Sequence, residues 1–224
     1  VSSPTPPSPA AATPVSLTER RKAATRMDIA RAAAQLFVKH GLRATRAEDI
    51  AQAAGIAPRT FYRYFATKEE SVAPLYAAGA QLWAEAVRQA PAGLSVPQAL
   101  EHAVRHTLMP GAGVSAASWE WVRTLIRLAE ASPSLRKVWA EVCQAGERTL
   151  AEVLAERLTP GDDNVAGPLP ARTDLRFAAA VASDAVRTAV EAWATGDAPA
   201  SGPAGLALRN LGALGEFPWE GRRG

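Results

Sequence analysis

The chain has 224 residues, a formal net charge of +3, and 48% hydrophobic but only 6% aromatic residues. That length can bury the core of one compact unit, or of a small unit joined to a larger one. Alanine fills much of the apolar quota and β-branched clusters are scarce, which favours helices over sheets.

The single cysteine, Cys143, excludes an internal disulfide and fits a reducing compartment. No apolar run approaches the roughly 18 residues of a membrane helix. The Pro/Ser/Ala-rich start lacks the basic and apolar regions of a signal peptide. The expectation is a cytoplasmic chain with no membrane partner. Charge is uneven: residues 1–70 hold 11 Lys and Arg against 6 Asp and Glu, whereas residues 71–224 hold 14 against 16. A basic N-terminal third suits a polyanion-binding module, although a solvated surface gives the same excess.

In chain order, residues 1–15 are uncharged and read as a disordered tail. Ser16-Leu17-Thr18-Glu19 offers a capping box, and Ile29, Ala33, Leu36 and Phe37 form the buried stripe of a long helix closed by Gly41. Thr45-x-x-Glu48 reads as a second capping box, opening a helix with Ile50, Ala51 and Ala54 inside. Gly55 supplies a turn, and Pro58 suits a first helical position, where its missing N–H costs nothing. Thr67-x-x-Glu70 is expected to cap a fourth helix reaching Gln89. Ser95-x-x-Gln98 opens a helix ending near Met109. Others are expected over 115–131, 132–158, 172–195 and 204–215, with a loop before Pro170 and a Pro/Gly-rich tail from 216 to 224. The sum is an all-α fold of about nine helices.

Residues 41–68 carry the most information. Two short helical patterns flank Gly55-Ile56-Ala57, as in a helix-turn-helix whose second helix enters the major groove. At ~100° per residue from Pro58, Phe61 and Phe65 fall near 300° and 340° and define a buried side. Arg59, Arg63 and Thr60 lie opposite, with Tyr62 and Tyr64 at the rims. Arginine can bond guanine O6 and N7 together, and tyrosine hydroxyls can reach phosphates. An ordinary surface helix with two solvated arginines would show the same pattern.

A longer pattern narrows this. Gly41, Thr45, Ile50-Ala51, Ala54-Gly55, Thr60-Phe61-Tyr62, Tyr64-Phe65 and Lys68-Glu69 together resemble the DNA-binding region of the TetR family of transcriptional regulators. The resemblance is close over about 30 residues (41–70) and extends beyond them only as architecture. It implies a helix-turn-helix domain over 16–66 and a helical ligand-binding and dimerisation domain over 67–215. It also implies base-facing roles for Arg59 and Thr60, and backbone contacts for Tyr62, Tyr64 and Lys68. Thr45 and Arg46 would sit where the second helix begins and can hold a phosphate. Arg63 joins the set from the wheel. Two departures stand out: Arg46 replaces a small hydroxyl residue, and Ala57 replaces a Ser cap, at a cost of about 1 kcal/mol. Arg20, Arg21, Lys22 and Arg26 either reach flanking DNA or form an exposed basic helix end.

Further on, Trp83, Trp119, Trp121, Trp139, Phe177 and Trp193 stand among small side chains. Such aromatics line a ligand cavity or fill a core. Trp83, His106, Trp119, Arg123 and Phe177 are the candidate ligand residues. Arg123 and Arg127 would hold an anionic group, or salt-bridge Glu120 and Glu130. Val181, Ala185, Val190, Trp193 and Leu211 are candidates for a dimer seam built from the Ala-rich helix and the last helix. His102 and His106, four apart, could face one metal, but no third ligand is evident. Cys143 reads as a buried small apolar residue. No phosphate-cradling glycine loop, GxSxG or metalloprotease motif occurs, so neither an enzyme nor a cofactor is expected.

The resemblance therefore implies a homodimeric regulator, a repressor released from a palindromic double-stranded DNA operator by an unknown small molecule. Three alternatives stay open: the same fold controlled by a protein partner or by abundance, a helical metalloenzyme using His102 and His106, and a helical membrane-surface protein, which the acidic C-terminal two thirds disfavours.

Overall fold

Ser16 starts the first helix through its hydroxyl, which accepts the Glu19 N–H at 3.1 Å. Helix α1 then runs Leu17–His40. It stops at Gly41, whose φ of +83° few L side chains tolerate and whose N–H still reaches the Phe37 carbonyl. The computed structural model describes residues 16–109, 116–158, 169–196 and 202–219. The expected tail 1–15, most of the loop before Pro170 and the end of the C-terminal tail lie outside them.

The remaining helices are α2 (Ala47–Ala53), α3 (Pro58–Tyr64), α4 (Ala73–Gln89), α5 (Val96–Leu108), α6 (Ala116–Ala131), α7 (Pro133–Leu158), α8 (Leu169–Thr195) and α9 (Ala204–Gly212). The described residues contain no strand. The fold is all-α, with an N-terminal helix-turn-helix followed by a helical domain.

Two helix starts differ from the sequence reading. The second helix begins one residue later, at Ala47, and its box pairs the Arg46 N–H with the Asp49 carboxylate at 2.8 Å. Thr45 lies one residue before the cap position, and its hydroxyl donates back to the Gly41 carbonyl at 2.9 Å. Thr67 does accept the Glu70 N–H at 3.2 Å, but it opens a 3-10 turn, Glu69–Val72, rather than α4. Pro74 explains this: inside a continuous helix its ring would clash with the Glu70 carbonyl, so α4 starts afresh with Pro74 in its first turn.

Helix α4 packs on α5 and α7, α7 on α8, and α8 on α9. The approach of α4 to α7 is close, since a Cβ on Gly146 would lie 3.1 Å from that of Ala80. Two cores result. One holds Ile29, Phe37, Ile50, Phe61 and Phe65 and continues into Tyr76, Ile126, Leu135, Val138 and Trp193. The other holds Val87, Leu100, Val104, Leu150, Leu154 and the alanine face of α8.

That alanine face corrects one expectation. Ala178, Ala179, Ala182 and Ala189 are buried within the protomer, where small side chains let α8 approach its neighbours. Trp193 and Leu211, expected at a dimer seam, are interior residues only 4% and 6% exposed. Val190 touches both cores, while Val181 and Ala185 are partly buried against the second.

Arginines tie the helix ends together. Arg123, buried, donates to the carbonyls of Ala194 and Gly196, and Arg127 donates to Ala194 at 2.6 Å. Arg157 donates to the carbonyls of Val87 in the last turn of α4 and of Ala90, Pro91 and Leu94 beyond it. A guanidinium at a helix C-terminus satisfies orphan carbonyls and complements the negative end of the helix dipole. Arg123 is therefore a helix cap and not a ligand residue.

Candidate nucleic-acid interface and internal cavity

The short α3 is held from beneath. Phe61 is fully buried and Phe65 is 3% exposed, their rings 5.8 Å apart. Gly55, at φ +68°, makes the turn from α2. Ala57 supplies no side-chain cap, and Pro58 follows at the first helical position. With the apolar side fixed, Arg59, Tyr62 and Arg63 are exposed on the other, Tyr62 by 53%. Thr60 and Tyr64 are partly buried at the edges, and the Arg63 guanidinium sits 5.5 Å from the Tyr64 ring centre. Arg46 is exposed near Glu48, at 3.4 Å.

Two residues expected to touch DNA, Thr45 and Lys68, bond within the motif, as does Arg26, for which a DNA contact was one of two readings. Thr45 is 2% exposed, with its hydroxyl turned to the Gly41 and Leu36 carbonyls. The Lys68 ammonium donates to the carbonyls of Leu42 at 2.6 Å and Thr45 at 2.8 Å, tying the start of the fourth-helix region to the α1–α2 loop. Arg26 donates to the Tyr64 carbonyl at 3.1 Å and lies 4.6 Å over the Phe65 ring, capping α3 from α1. Nothing in the local sequence marks the last interaction, whose partners lie 38 residues apart. Lys22 pairs with Glu19, while Arg20 and Arg21 are exposed.

A cavity of about 550 Å³ lies among α4, α6, α7 and α8, with the exposed Arg31 and Gln35 of α1 at its rim. Tyr76, Trp83, Trp121 and Trp139 supply its aromatic wall. Tyr76 is fixed by donating to the Leu125 carbonyl at 3.0 Å and by edge contact with Trp139, and burial raises its phenol well above the usual range. Trp139 donates to Glu191 at 2.7 Å. Cys143 lines the cavity too, and burial pushes its thiol up to about 12.

Of the candidate ligand residues, only Trp83 lines this space. Trp119 packs edge-on against Trp193, with ring centres 5.4 Å apart. His106 is exposed on α5, stacked 6.3 Å from His102. Phe177 is 60% exposed and touches Phe217. Among the described residues no group of three or more metal-ligating side chains occurs. No helix there is long and apolar enough to cross a membrane.

Known proteins share this arrangement. Residues 29–72 match the family model for bacterial regulatory proteins, tetR family. The transcriptional regulator TcmR of Streptomyces glaucescens is 31% identical over 143 residues, which is 63% of this chain and 63% of TcmR. The chain thus spans less than two thirds of that relative's length. Thermus thermophilus FadR, a TetR-family transcriptional repressor in complex with lauroyl-CoA, is 26% identical with a TM-score of 0.53, covering 86% of this chain and 94% of FadR. Salmonella enterica GusR shares the fold at 20% identity and a TM-score of 0.51, covering 87% and 95% of the two chains.

Proposed function

We propose that the chain is a transcriptional repressor of the TetR family of bacterial regulatory proteins, whose family model matches residues 29–72. It binds a palindromic operator as a homodimer and is released when a small molecule fills the cavity. The observation that carries the DNA-binding half is the two-sided α3. Phe61 and Phe65 anchor one side, and Arg59, Tyr62 and Arg63 stand clear on the other. Arginines so placed suit guanine edges, and Tyr62 suits the backbone. Residues 16–66 act as the DNA-binding domain and 67–215 as the regulatory domain.

One recognition helix contacts few base pairs, so useful specificity calls for two, about 34 Å apart. The seam between protomers draws on the outer side of α8 and α9. There Val181 and Ala185 keep some accessible surface, and Phe177 exposes a large apolar side chain.

The aromatic-walled cavity supports the effector half, and Thermus FadR, in complex with lauroyl-CoA, offers a precedent for a bound molecule that carries an apolar chain. An occupant would meet α4 and the rim of α1, the helix whose Arg26 caps α3. Repacking there would alter the spacing of the two recognition helices. A full inversion of occupancy requires about 5.5 kcal/mol of differential affinity for the released state.

Selection of duplexes from a random pool by the full-length protein tests the proposal. Enrichment of two inverted half-sites centred about one DNA turn apart is expected. No enrichment, or a single unrepeated site, would contradict it.

A further inference from the structure

We infer that the effector is a lipophilic organic cation, an inference that rests on reading the cavity as the effector site. The argument turns on which charges around it are already satisfied. Arg187, in the lining, donates to Asp184 and to both oxygens of Glu191, at 2.9 and 2.8 Å for the latter. Arg31, at the rim, pairs with Asp28 at 3.3 Å. The Arg187 guanidinium is fully engaged, and that of Arg31 is partly offset at the exposed rim.

Glu147 is the contrast. It lines the same cavity, is partly buried, and has no hydrogen bond or ion pair with any described residue. The groups in the wall and those bonded to it therefore comprise two guanidiniums against four carboxylates: Glu147, Asp184, Glu191 and Asp28.

The rest of the wall decides what kind of cation fits. Tyr76, Trp83, Trp121 and Trp139 offer aromatic surface beside an unpaired carboxylate. Aromatic side chains attract cations through their quadrupole, most strongly where water is excluded. A strongly hydrated ion such as ammonium would gain little from such a wall. An alkylated or aromatic cation gains apolar burial, cation–π contact and the Glu147 counter-charge together. An anion would enter a net-acidic space where the unpartnered Trp83 Nε1 and Ser183 Oγ offer only neutral donors, and burying it without a counter-charge is costly. A neutral ligand leaves Glu147 unpaired.

Three probes of equal chain length separate these cases: decyltrimethylammonium, decanol and decanoate. Each is titrated below its aggregation concentration into the full-length protein, with cavity tryptophan fluorescence and operator release as readouts. The cation should bind at least tenfold more tightly than decanol, and decanoate most weakly. In Glu147→Gln, the cation should lose at least tenfold in affinity while decanol changes less than twofold. Glu147→Lys should bring decanoate above the cation. Far-UV circular dichroism of both variants must match the parent, and the probe ranking on the unsubstituted protein tests the inference even if one variant does not fold.

Decanol or decanoate binding most tightly to the parent and releasing the operator would overturn the cation assignment while leaving the effector site intact. A cation affinity equal in parent and Glu147→Gln would also overturn it, as general surfactant binding. If no probe perturbs the tryptophans or the operator complex, the effector-site reading fails, and the inference with it.

Discussion

Lys68 distinguishes a residue that touches DNA from one that shapes the surface that does. Its ammonium donates to two backbone carbonyls, those of Leu42 and Thr45, at 2.6 and 2.8 Å. Lys68→Met keeps the alkyl stem and removes both bonds. A hydrogen bond from a charged donor contributes about 1.5–3 kcal/mol. The two share one ammonium, and water recovers part of the loss at this half-buried position, so about 2 kcal/mol of destabilisation is expected. In a chain of this size that lowers Tm by about 4–8 °C. Thermal unfolding followed by circular dichroism measures it. DNA binding across a salt series supplies the second readout, since removing a cation that neutralises one phosphate flattens the log–log slope by about 0.9. A tether predicts a lower Tm and a slope close to that of the parent. A parental Tm with a flatter slope would refute the reasoning and make Lys68 a phosphate ligand.

Three further outcomes follow from local geometry. Ala57 has the extended backbone of a helix cap, φ −70° and ψ 148°, but no side-chain acceptor, so Ala57→Ser should stabilise the protein by about 0.5–2 kcal/mol in urea unfolding; an unchanged midpoint would count against an uncapped α3. Gly55→Ala meets open space but a φ of +68°, so it should cost about 1–2 kcal/mol from the backbone alone, and parental stability would contradict that. Burial holds the Cys143 thiol protonated from its ordinary 9.0 up to about 12, with Arg187 opposing and Glu191, Glu147 and Asp184 adding to the rise. The folded state then keeps a proton that the unfolded state releases, so stability is intact below about pH 9 and declines as pH climbs toward 12. Unfolding midpoints measured across that range should fall less steeply in Cys143→Ala, and an equal fall would exclude the thiol as a cause.

Helix ends marked by local chemistry were legible in the sequence. Ser16, Gly41, Pro58 and Ser95 act within three or four residues, and the structure places α1, α3 and α5 accordingly. Thr45 and Thr67 show the limit. Each has the right spacing for a capping box, but the first hydroxyl finds the Gly41 carbonyl and the second meets the constraint of Pro74. The inward Phe61 and Phe65 and the outward Arg59 and Arg63 followed from helical periodicity alone.

Long-range partners did not follow. The charge of Arg26, Lys68 and Arg123 is visible in sequence, but the carbonyls they cap lie 38, 26 or 23, and 71 or 73 residues away. Trp119 and Trp121 are two residues apart, about 200° on a helix, so one packs on Trp193 while the other faces the cavity. Composition flags both and separates neither. The alanine stripe of α8 announces close packing, but periodicity does not say whether the partner is the same chain or its mate.

The central claim is that α3 reads DNA sequence through its exposed face, and Arg59 tests it most directly. Binding of the parent and of Arg59→Ala should be compared on the selected palindrome and on an unrelated duplex at one fixed salt concentration. The account predicts that the parent prefers the palindrome and that Arg59→Ala loses about 1–3 kcal/mol of that preference per reading position. Its affinity for the unrelated duplex should fall far less. A variant that discriminates as well as the parent, or a parent with no preference, would contradict the account.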